Sequence, residues 1–450
     1  MEQDMTRGNP LSVIFIFTLP LAIGNIFQQL YNMADTIIVG RFVGADALAA
    51  VGSTGTIMFL LNGFAQGITA GFSVLTAQRF GAGKKDAVKQ SVTNGILLSI
   101  IGAILLTVLG GAIMDPLLHL MNTPDDIFDM AYTYITLISL GMIANVFYNL
   151  FSSYLRAVGN SKAPLFFLVF SACLNVGLDL FFIVVLKMGV AGAAWATNLS
   201  QAISALLCIV YIYCKVPALV PEKKHWRLTA GDTRYQMHMG IPMALQFAIT
   251  SSGTMIMQSA INLFGSEAVA AYTAACKVHS LLTQGMVAMG QTMAVYSGQN
   301  YGKGDYGRIR AGVKAALIIE FIYSVVSAVA VSLLLGVTLG LFFSGDVDLI
   351  AMMPWARTYI TICTLFYIPL STIFIFRNTM QGCGYGFLPM MGGVVELVAR
   401  MLVAMIAMRV HSYALSCFCD PAAWISAGLF TGVSYLFVMK KIKATLSPKG

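Results

Sequence analysis

The sequence consists of two similar halves. Gly44–Ala50 returns with conservative changes as Gly265–Ala271, 221 residues further along the chain. Three further matches follow in the same order, at offsets of 222, 221 and 225 residues: Pro20 with Pro242, Gln78–Gly83 with Gln299–Gly304, and Gly159 and Pro164 with Gly384 and Pro389. Four collinear matches at a nearly constant offset predict a duplicated architecture.

The composition places both halves in a membrane. Hydrophobic residues make up 58% of the chain and charged residues 10%, whereas a soluble domain carries about 25% charged residues. A spanning helix needs roughly 20 apolar residues, and twelve runs reach that length. They are residues 11–39, 47–73, 90–114, 128–154, 162–186, 190–213, 238–264, 268–297, 312–343, 351–378, 387–409 and 412–439.

These runs predict an all-α integral membrane protein with twelve transmembrane helices. Each half holds six spans, an even number, so the two halves are parallel repeats. We expect an N-lobe at residues 1–214, a cytoplasmic linker at 215–236 and a C-lobe at 237–450, arranged around a central cavity. An apolar chain of two like halves is typical of membrane transporters.

The basic residues predict the orientation. Lys and Arg are concentrated at the span ends on the side of the N-terminus, so both termini are expected in the cytoplasm of a multi-pass cell-membrane protein. Acidic residues precede the first run and no cleavage site follows it, so no removable signal peptide is expected. The net charge of +8 reflects this topology. We expect a monomer in the lipid bilayer, with no nucleic-acid partner.

Two aspartates inside the apolar runs are candidates for function. An ionisable residue in a spanning helix is costly and is a functional hypothesis by default. Asp35 shares one face of the first helix with other polar residues, and Asp179 lies four residues after Asn175 in the fifth. Two such carboxylates suit binding of H+ or Na+. The alternatives are an interhelical hydrogen-bond seam at Asp35 and a solvated helix end at Asp179.

The second half lacks these acids. Asp35 corresponds to Ile256 or Met257, and Asp179 corresponds to Ala404. We therefore expect the first half to sense the ion.

The acids of the second half lie elsewhere. Glu396 and Arg400 are spaced for an ion pair on one helix, which we interpret as structural. Lys277 is the alternative partner of Glu396 or Glu320.

Polar side chains in both halves are candidates for lining a substrate cavity, and matched prolines are candidate hinges. The cavity candidates are Asn25, Gln28, Asn32, Gln66, Gln246, Gln258 and Tyr367. Pro20 and Pro242 interrupt the hydrogen bonding of helices one and seven at equivalent places. Kinks there suit helices that bend between outward-open and inward-open states, although a static kink is an equal alternative.

No motif for catalysis is present in the sequence. It contains no phosphate-binding loop, no His-Glu-x-x-His and no Gly-x-Ser-x-Gly, and its five histidines lack metal-ligand spacing. We expect neither an enzyme nor a cofactor, and no metal other than Na+. Transport energy would come from an ion gradient or a separate subunit.

The motifs together resemble the multidrug and toxic compound extrusion (MATE) family, in its DinF-like and MepA-like bacterial branches. The resemblance extends from about residue 10 to 440. It rests on Leu19-Pro20, Tyr31–Asp35, Val39-Gly40, Gln78–Gly83, Arg156–Gly159 with Pro164, Asn175–Asp179, Gly265–Ala271, Gln299–Gly304 and Gly384 with Pro389.

This resemblance implies antiport, in which H+ or Na+ enters while an amphipathic, often cationic drug leaves. It assigns the coupling ion to Asp35, Asn175 and Asp179, with Tyr134 and Thr197 as supporting residues. It also implies two six-helix lobes. Some relatives carry acids in helices seven and ten, but those helices contain no acid here, which argues against a C-lobe cation site of that type.

The leading hypothesis is therefore a secondary active multidrug efflux antiporter. The alternative is a flippase or exporter of a lipid-linked or polysaccharide precursor. A membrane enzyme is the third reading, and no catalytic dyad supports it.

Overall fold

A computed structural model describes residues 4–121, 123–340 and 349–446. Within these ranges all regular elements are helices. The first half contains α1 Pro10–Phe42, α2 Ala45–Ser53, α3 Gly55–Gly81, α4 Lys85–Leu120, α5 Asp125–Leu140, α6 Met142–Ala157, α7 Lys162–Asp179 and α8 Gly189–Lys215. The second contains α9 Ala230–Ile261, α10 Gly265–Lys303, α11 Tyr306–Gly340, α12 Leu349–Thr364, α13 Tyr367–Gly382, α14 Phe387–Val410, α15 Tyr413–Cys417 and α16 Cys419–Leu446.

The twelve predicted spans coincide with helices. Eight helical segments in the described chain are long and apolar enough to cross a membrane, and two bent pairs raise that number to 10. The remaining predicted spans correspond to α9 and α10, which are long but do not meet the same test of composition. The last residues of the ninth predicted span, 341–343, lie outside the described residues.

The repeated Gly-Ala-Asp-Ala and Gly-Ser-Glu-Ala corners have a backbone cause. Gly44 has φ of 130° and Gly265 has φ of 87°. Residues with a side chain rarely adopt such angles, so glycine allows the chain to turn sharply before the next helix. Both halves have glycine at this corner because both make the same turn.

Two spans are bent where the sequence predicts continuous helices. The pair α5 and α6 bends by 47° at Gly141, and the pair α12 and α13 bends by 48° at the equivalent place in the second half. At the first bend, Asn198 of α8 donates its amide to the carbonyl oxygen of Leu137 at 2.7 Å. A side chain at Gly141 would collide with that amide. The bend therefore depends on a contact from another helix.

The chain forms two compact units, and their boundaries differ from those of the predicted lobes. Unit 1 consists mainly of Ile23–Ala244, and unit 2 consists of Met5–Ala22 with the chain from Leu245 onwards. The predicted N-lobe at 1–214 thus gives up its first helical turns to unit 2. The predicted linker and the first half of α9 belong to unit 1. Each boundary lies two residues after a matched proline.

In unit 1, the first half of α9 is held by α3. The two helices cross so closely that a Cβ atom at Gly67 would lie 2.6 Å from the Cα of Ala244. Arg79 donates two hydrogen bonds to the carboxylate of Asp232, at 2.7 and 2.6 Å. Such bidentate pairs are geometrically specific, so the start of α9 is fixed to unit 1.

In unit 2, the segment Met5–Ala22 is held in a comparable way. The backbone nitrogen of Met5 donates to Oε1 of Gln299 at 2.9 Å, and the Arg308 guanidinium donates to the carbonyl oxygens of Met5, Arg7 and Gly8.

In unit 1 the hydroxyl of Tyr235 donates to Oε1 of Gln78 at 2.9 Å. The repeated Gln-x-x-Gly-x-Gly motifs, at the ends of α3 and α10, therefore each bind a residue near the beginning of the other half's first helix.

Candidate functional site

The two predicted carboxylates lie together inside unit 1. Asp35 comes from the second half of α1, and Asp179 is the last residue of α7. Their carboxyl groups are close enough to interact electrostatically. Asp179 is 0% exposed, and Oδ1 of Asp35 is shielded from solvent.

The helix does not end in water after Asp179. A single π-helical stretch, Leu180–Val185, continues it, and such wide turns are often found at functional sites. The burial of Asp179 argues against the alternative of a solvated helix end.

The supporting residues complete a polar cluster around the carboxylates. Nδ2 of Asn175 donates to Oγ1 of Thr197 at 3.4 Å. Tyr134, which is 3% exposed, is close enough to interact electrostatically with both carboxylates. The structure thus brings together all five residues predicted for the coupling ion.

The cluster contains one residue that the sequence prediction omitted. The hydroxyl of Tyr31 lies close to Thr197, and Tyr31 interacts electrostatically with both carboxylates. Its spacing of four residues from Asp35 places both on one face of α1, which is the signal that identifies it in the sequence.

The cluster has an excess of acceptor oxygens. Among the described residues, Oδ1 of Asp35, both carboxylate oxygens of Asp179 and Oδ1 of Asn175 are buried without a hydrogen-bond donor. In the same part of the chain, no basic side chain forms an ion pair with either aspartate. Buried charges are normally paired or bound to a cation, so this cluster is chemically suited to bind a proton or a small cation.

The predicted cavity residues of unit 1 follow the same helix face. Asn25 and Gln28 are half-buried and Asn32 is exposed. Nε2 of Gln28 donates to Oδ1 of Asn32 at 3.3 Å. Gln66 lies half-buried on α3.

The cavity candidates of unit 2 are partly engaged in its own packing. Gln246 accepts a hydrogen bond from Gln381 at 3.0 Å, and Gln258 is half-buried. Tyr367 is 1% exposed, and its hydroxyl is bonded to Nδ1 of His279 at 3.0 Å. In this conformation Tyr367 is a core residue of unit 2.

The predicted pair of Glu396 and Arg400 forms, with an N–O distance of 3.7 Å. Glu396 also binds Arg377 at 3.2 Å. Lys277 is exposed, so the buried partners of Glu396 are arginines. Arg377 is itself buried.

Comparison with known proteins identifies the family. The MatE family model matches residues 20–181 and 242–406, one segment in each half of the repeat. The chain belongs to the MatE family.

The chain matches probable multidrug resistance proteins over most of their length. The chain is 31% identical over 311 residues to the probable multidrug resistance protein YpnP of Bacillus subtilis, covering 68% of each protein. It is 25% identical over 435 residues to the probable multidrug resistance protein NorM of Thermotoga maritima, covering 94% of this chain and 89% of the relative. Among solved structures, a MATE transporter in complex with MaL6 has a TM-score of 0.90 at 23% identity, with 98% of both chains covered.

Membership of the MATE family confirms the resemblance inferred from the sequence. It also confirms the all-helical, multi-pass membrane fold, because the structural neighbour covers nearly the whole chain. Members of the MATE family are transporters and not enzymes, as predicted.

Proposed function

We propose that this protein is a secondary active antiporter. In this proposal it exports amphipathic, cationic compounds from the cytoplasm in exchange for H+ or Na+. The observation that supports the proposal best is the pairing of Asp35 with Asp179, whose shielded oxygens have no hydrogen-bond donor and no basic partner among the described residues.

The ion would bind because two carboxylates cannot both stay charged in contact. A carboxylate at the centre of a membrane helix costs at least about 2.5 kcal/mol, and two like charges at hydrogen-bonding distance repel each other. A proton shared by Asp35 and Asp179 removes one charge. A Na+ ion bound by the same oxygens, with Oδ1 of Asn175, balances one of the two negative charges instead.

Ion binding would be transmitted through helix α1. Asp35 lies in the part of α1 that belongs to unit 1, whereas Pro20 lies in the part that belongs to unit 2. A proline inside a helix lacks one backbone hydrogen bond and is a natural bending point. In the proposed cycle, neutralisation of Asp35 lets α1 bend at Pro20, with Pro242 as the equivalent hinge of α9.

The substrate would contact the amide side chains predicted to line the cavity. Asn25, Gln28, Asn32 and Gln66 of unit 1, and Gln246 and Gln258 of unit 2, offer donors and acceptors without net charge. The negative charge at Asp35 and Asp179 then favours cationic substrates, and its neutralisation lowers their affinity. The cell membrane, with both termini in the cytoplasm, is the expected location.

The test is dye efflux from proteoliposomes with pH and Na+ gradients imposed separately. We expect ethidium efflux to follow one of the two gradients, and Asp35→Asn and Asp179→Asn to abolish that dependence. Asp126→Asn, which removes an exposed acid of α5, is the matched control and should behave as the wild type. Full efflux with unchanged ion dependence in Asp35→Asn would falsify the proposal.

The alternative of a lipid-linked precursor flippase is not favoured. Such a substrate carries pyrophosphate and needs unpaired basic residues. Arg377 and Arg400, the arginines buried in unit 2, are bound to Glu396 and Asp420 and offer little free positive charge.

A further inference from the structure

Unit 2 contains a buried cluster of four charged residues that the transport proposal does not use. Nε of Arg400 donates to Oδ1 of Asp420 at 2.7 Å, and Glu396 lies between Arg377 at 3.2 Å and Arg400 at 3.7 Å. All four residues are at most 7% exposed. Two arginines and two acids balance, so the cluster is neutral as a whole.

The repeat aligns this cluster with the carboxylate site of unit 1. Helices α6 and α13 begin 225 residues apart, and so do α7 and α14. At this offset Tyr359 corresponds to Tyr134 and Arg400 corresponds to Asn175. Both tyrosines are buried, at 0% and 3% exposure. An arginine therefore stands where the unit 1 site has an amide ligand.

A third position changes in the complementary direction. Tyr31 corresponds to Gly253 at the offset of 222 given by Pro20 and Pro242, and to Ser252 at the offset of 221 given by Gly44 and Gly265, so unit 2 has a small residue there at either offset. A Cβ atom at Gly253 would lie 2.8 Å from Nη1 of Arg400. Where unit 1 has a large tyrosine on α1 and a small asparagine on α7, unit 2 has the small Gly253 on α9 and the large Arg400 on α14. The space for the guanidinium is thus built into α9.

We propose that the Arg400 guanidinium is a tethered cation that permanently fills unit 2's equivalent of the ion site. Glu396 and Asp420 supply the carboxylates, from neighbouring positions, while the equivalent of Asp179 is the buried Ala404. That position of unit 2 consequently takes up no soluble ion. This inference rests on the proposed function only for the role of the unit 1 site.

The proposal predicts what a vacated site does. Arg400→Asn installs the residue found at the unit 1 position and leaves Glu396 and Asp420 with Arg377 as their one cation in the cluster. Removing one partner of a buried ion pair leaves an uncompensated charge, which is strongly destabilising. A free cation of the right shape should then bind and restore stability, because a ligand that binds the folded state stabilises it.

The experiment measures the Tm of the purified full-length protein in detergent with guanidinium chloride as the probe. Choline chloride keeps the ionic strength constant, and the background variant Asp35→Asn/Asp179→Asn removes cation binding at unit 1. We expect Arg400→Asn to lower the Tm, and millimolar guanidinium to raise it by several degrees without affecting the background protein. Arg400→Asn/Asp420→Asn restores charge balance and should be stable and unresponsive.

The proposal fails if guanidinium leaves the Tm of Arg400→Asn unchanged, or if it stabilises the charge-balanced variant equally. It also fails if Arg400→Asn cannot be recovered even with guanidinium while the charge-balanced variant can. Because the readout is stability and not efflux, failure here leaves the antiport proposal intact, and failure of antiport leaves this result interpretable.

Discussion

At the scale of single residues, Tyr31 connects the two sides of the carboxylate site. Its hydroxyl lies close to Thr197, and Oγ1 of Thr197 accepts from Nδ2 of Asn175. This chain of contacts orients the amide oxygen of Asn175 and keeps Thr197 beside the carboxylates. Tyr31 thus contributes through the position of the ligands, with Asp35 one helical turn further along α1.

Tyr31→Phe removes this hydroxyl while keeping the ring. A hydrogen bond contributes about 1 kcal/mol net, and 1.4 kcal/mol corresponds to a tenfold change in affinity. We expect half-maximal ethidium efflux to require an approximately five- to tenfold higher concentration of the coupling ion. Tyr213→Phe, at a tyrosine that is 67% exposed, serves as the control. An unchanged ion requirement in Tyr31→Phe would show that the hydroxyl has no part in ion binding.

The sequence reveals the charged members of this site more readily than the tyrosine. Asp35, Asn175 and Asp179 stand out because carboxylates and amides are costly inside apolar helices. Tyr31 does not, because an aromatic ring with a polar tip packs well in many membrane positions. In unit 2, Arg400 stands out in the same way, but the space that accommodates it depends on Gly253, a residue without a side chain.

At the scale of helices, hydropathy predicts where spans lie but not how they bend. A run of about 20 apolar residues averages over local hydrogen bonding, so the break at Gly141 leaves no trace in it. That break depends on Asn198, which reaches the carbonyl of Leu137 from another helix. The π-helical stretch after Asp179 is likewise a local change of hydrogen bonding. Such features follow from tertiary contacts that a single segment does not encode.

The prolines of α1 and α9 differ from other helical prolines by their place at the unit boundaries. If bending at these boundaries is part of the cycle, Pro242→Ala should slow ethidium efflux several-fold. It should not lower the Tm, because alanine restores a backbone hydrogen bond and favours the helix. Pro116→Ala, in α4 within unit 1, is the control and should leave efflux unchanged. Equal efflux rates for the wild type and Pro242→Ala in proteoliposomes would indicate a static kink.

At the scale of the whole molecule, the two compact units do not coincide with the two halves of the sequence. Apolar periodicity cannot say which unit a helix half packs against, so the predicted lobes divide the chain at its polar linker. The contacts divide it at residues 22 and 244 instead. The repeated motifs that begin at Gln78 and Gln299 can be recognised in the sequence. Their hydrogen-bond partners, Tyr235 and the backbone of Met5, are far away along the chain.

Because the first half of α9 belongs to unit 1, the structure predicts how truncated chains behave. A fragment of residues 1–229 lacks the part of α9 that covers Gly67 and pairs Asp232 with Arg79, whereas a fragment of residues 1–261 contains it. We expect the longer fragment to retain a protease-resistant unit 1 in detergent. The shorter fragment should be digested, because without α9 its α3 surface is exposed and Arg79 lacks Asp232. Asp232→Ala in the longer fragment removes the ion pair but keeps the helix contact, so its resistance should be intermediate. Equal digestion of the two fragments would place the first half of α9 outside the stable core of unit 1.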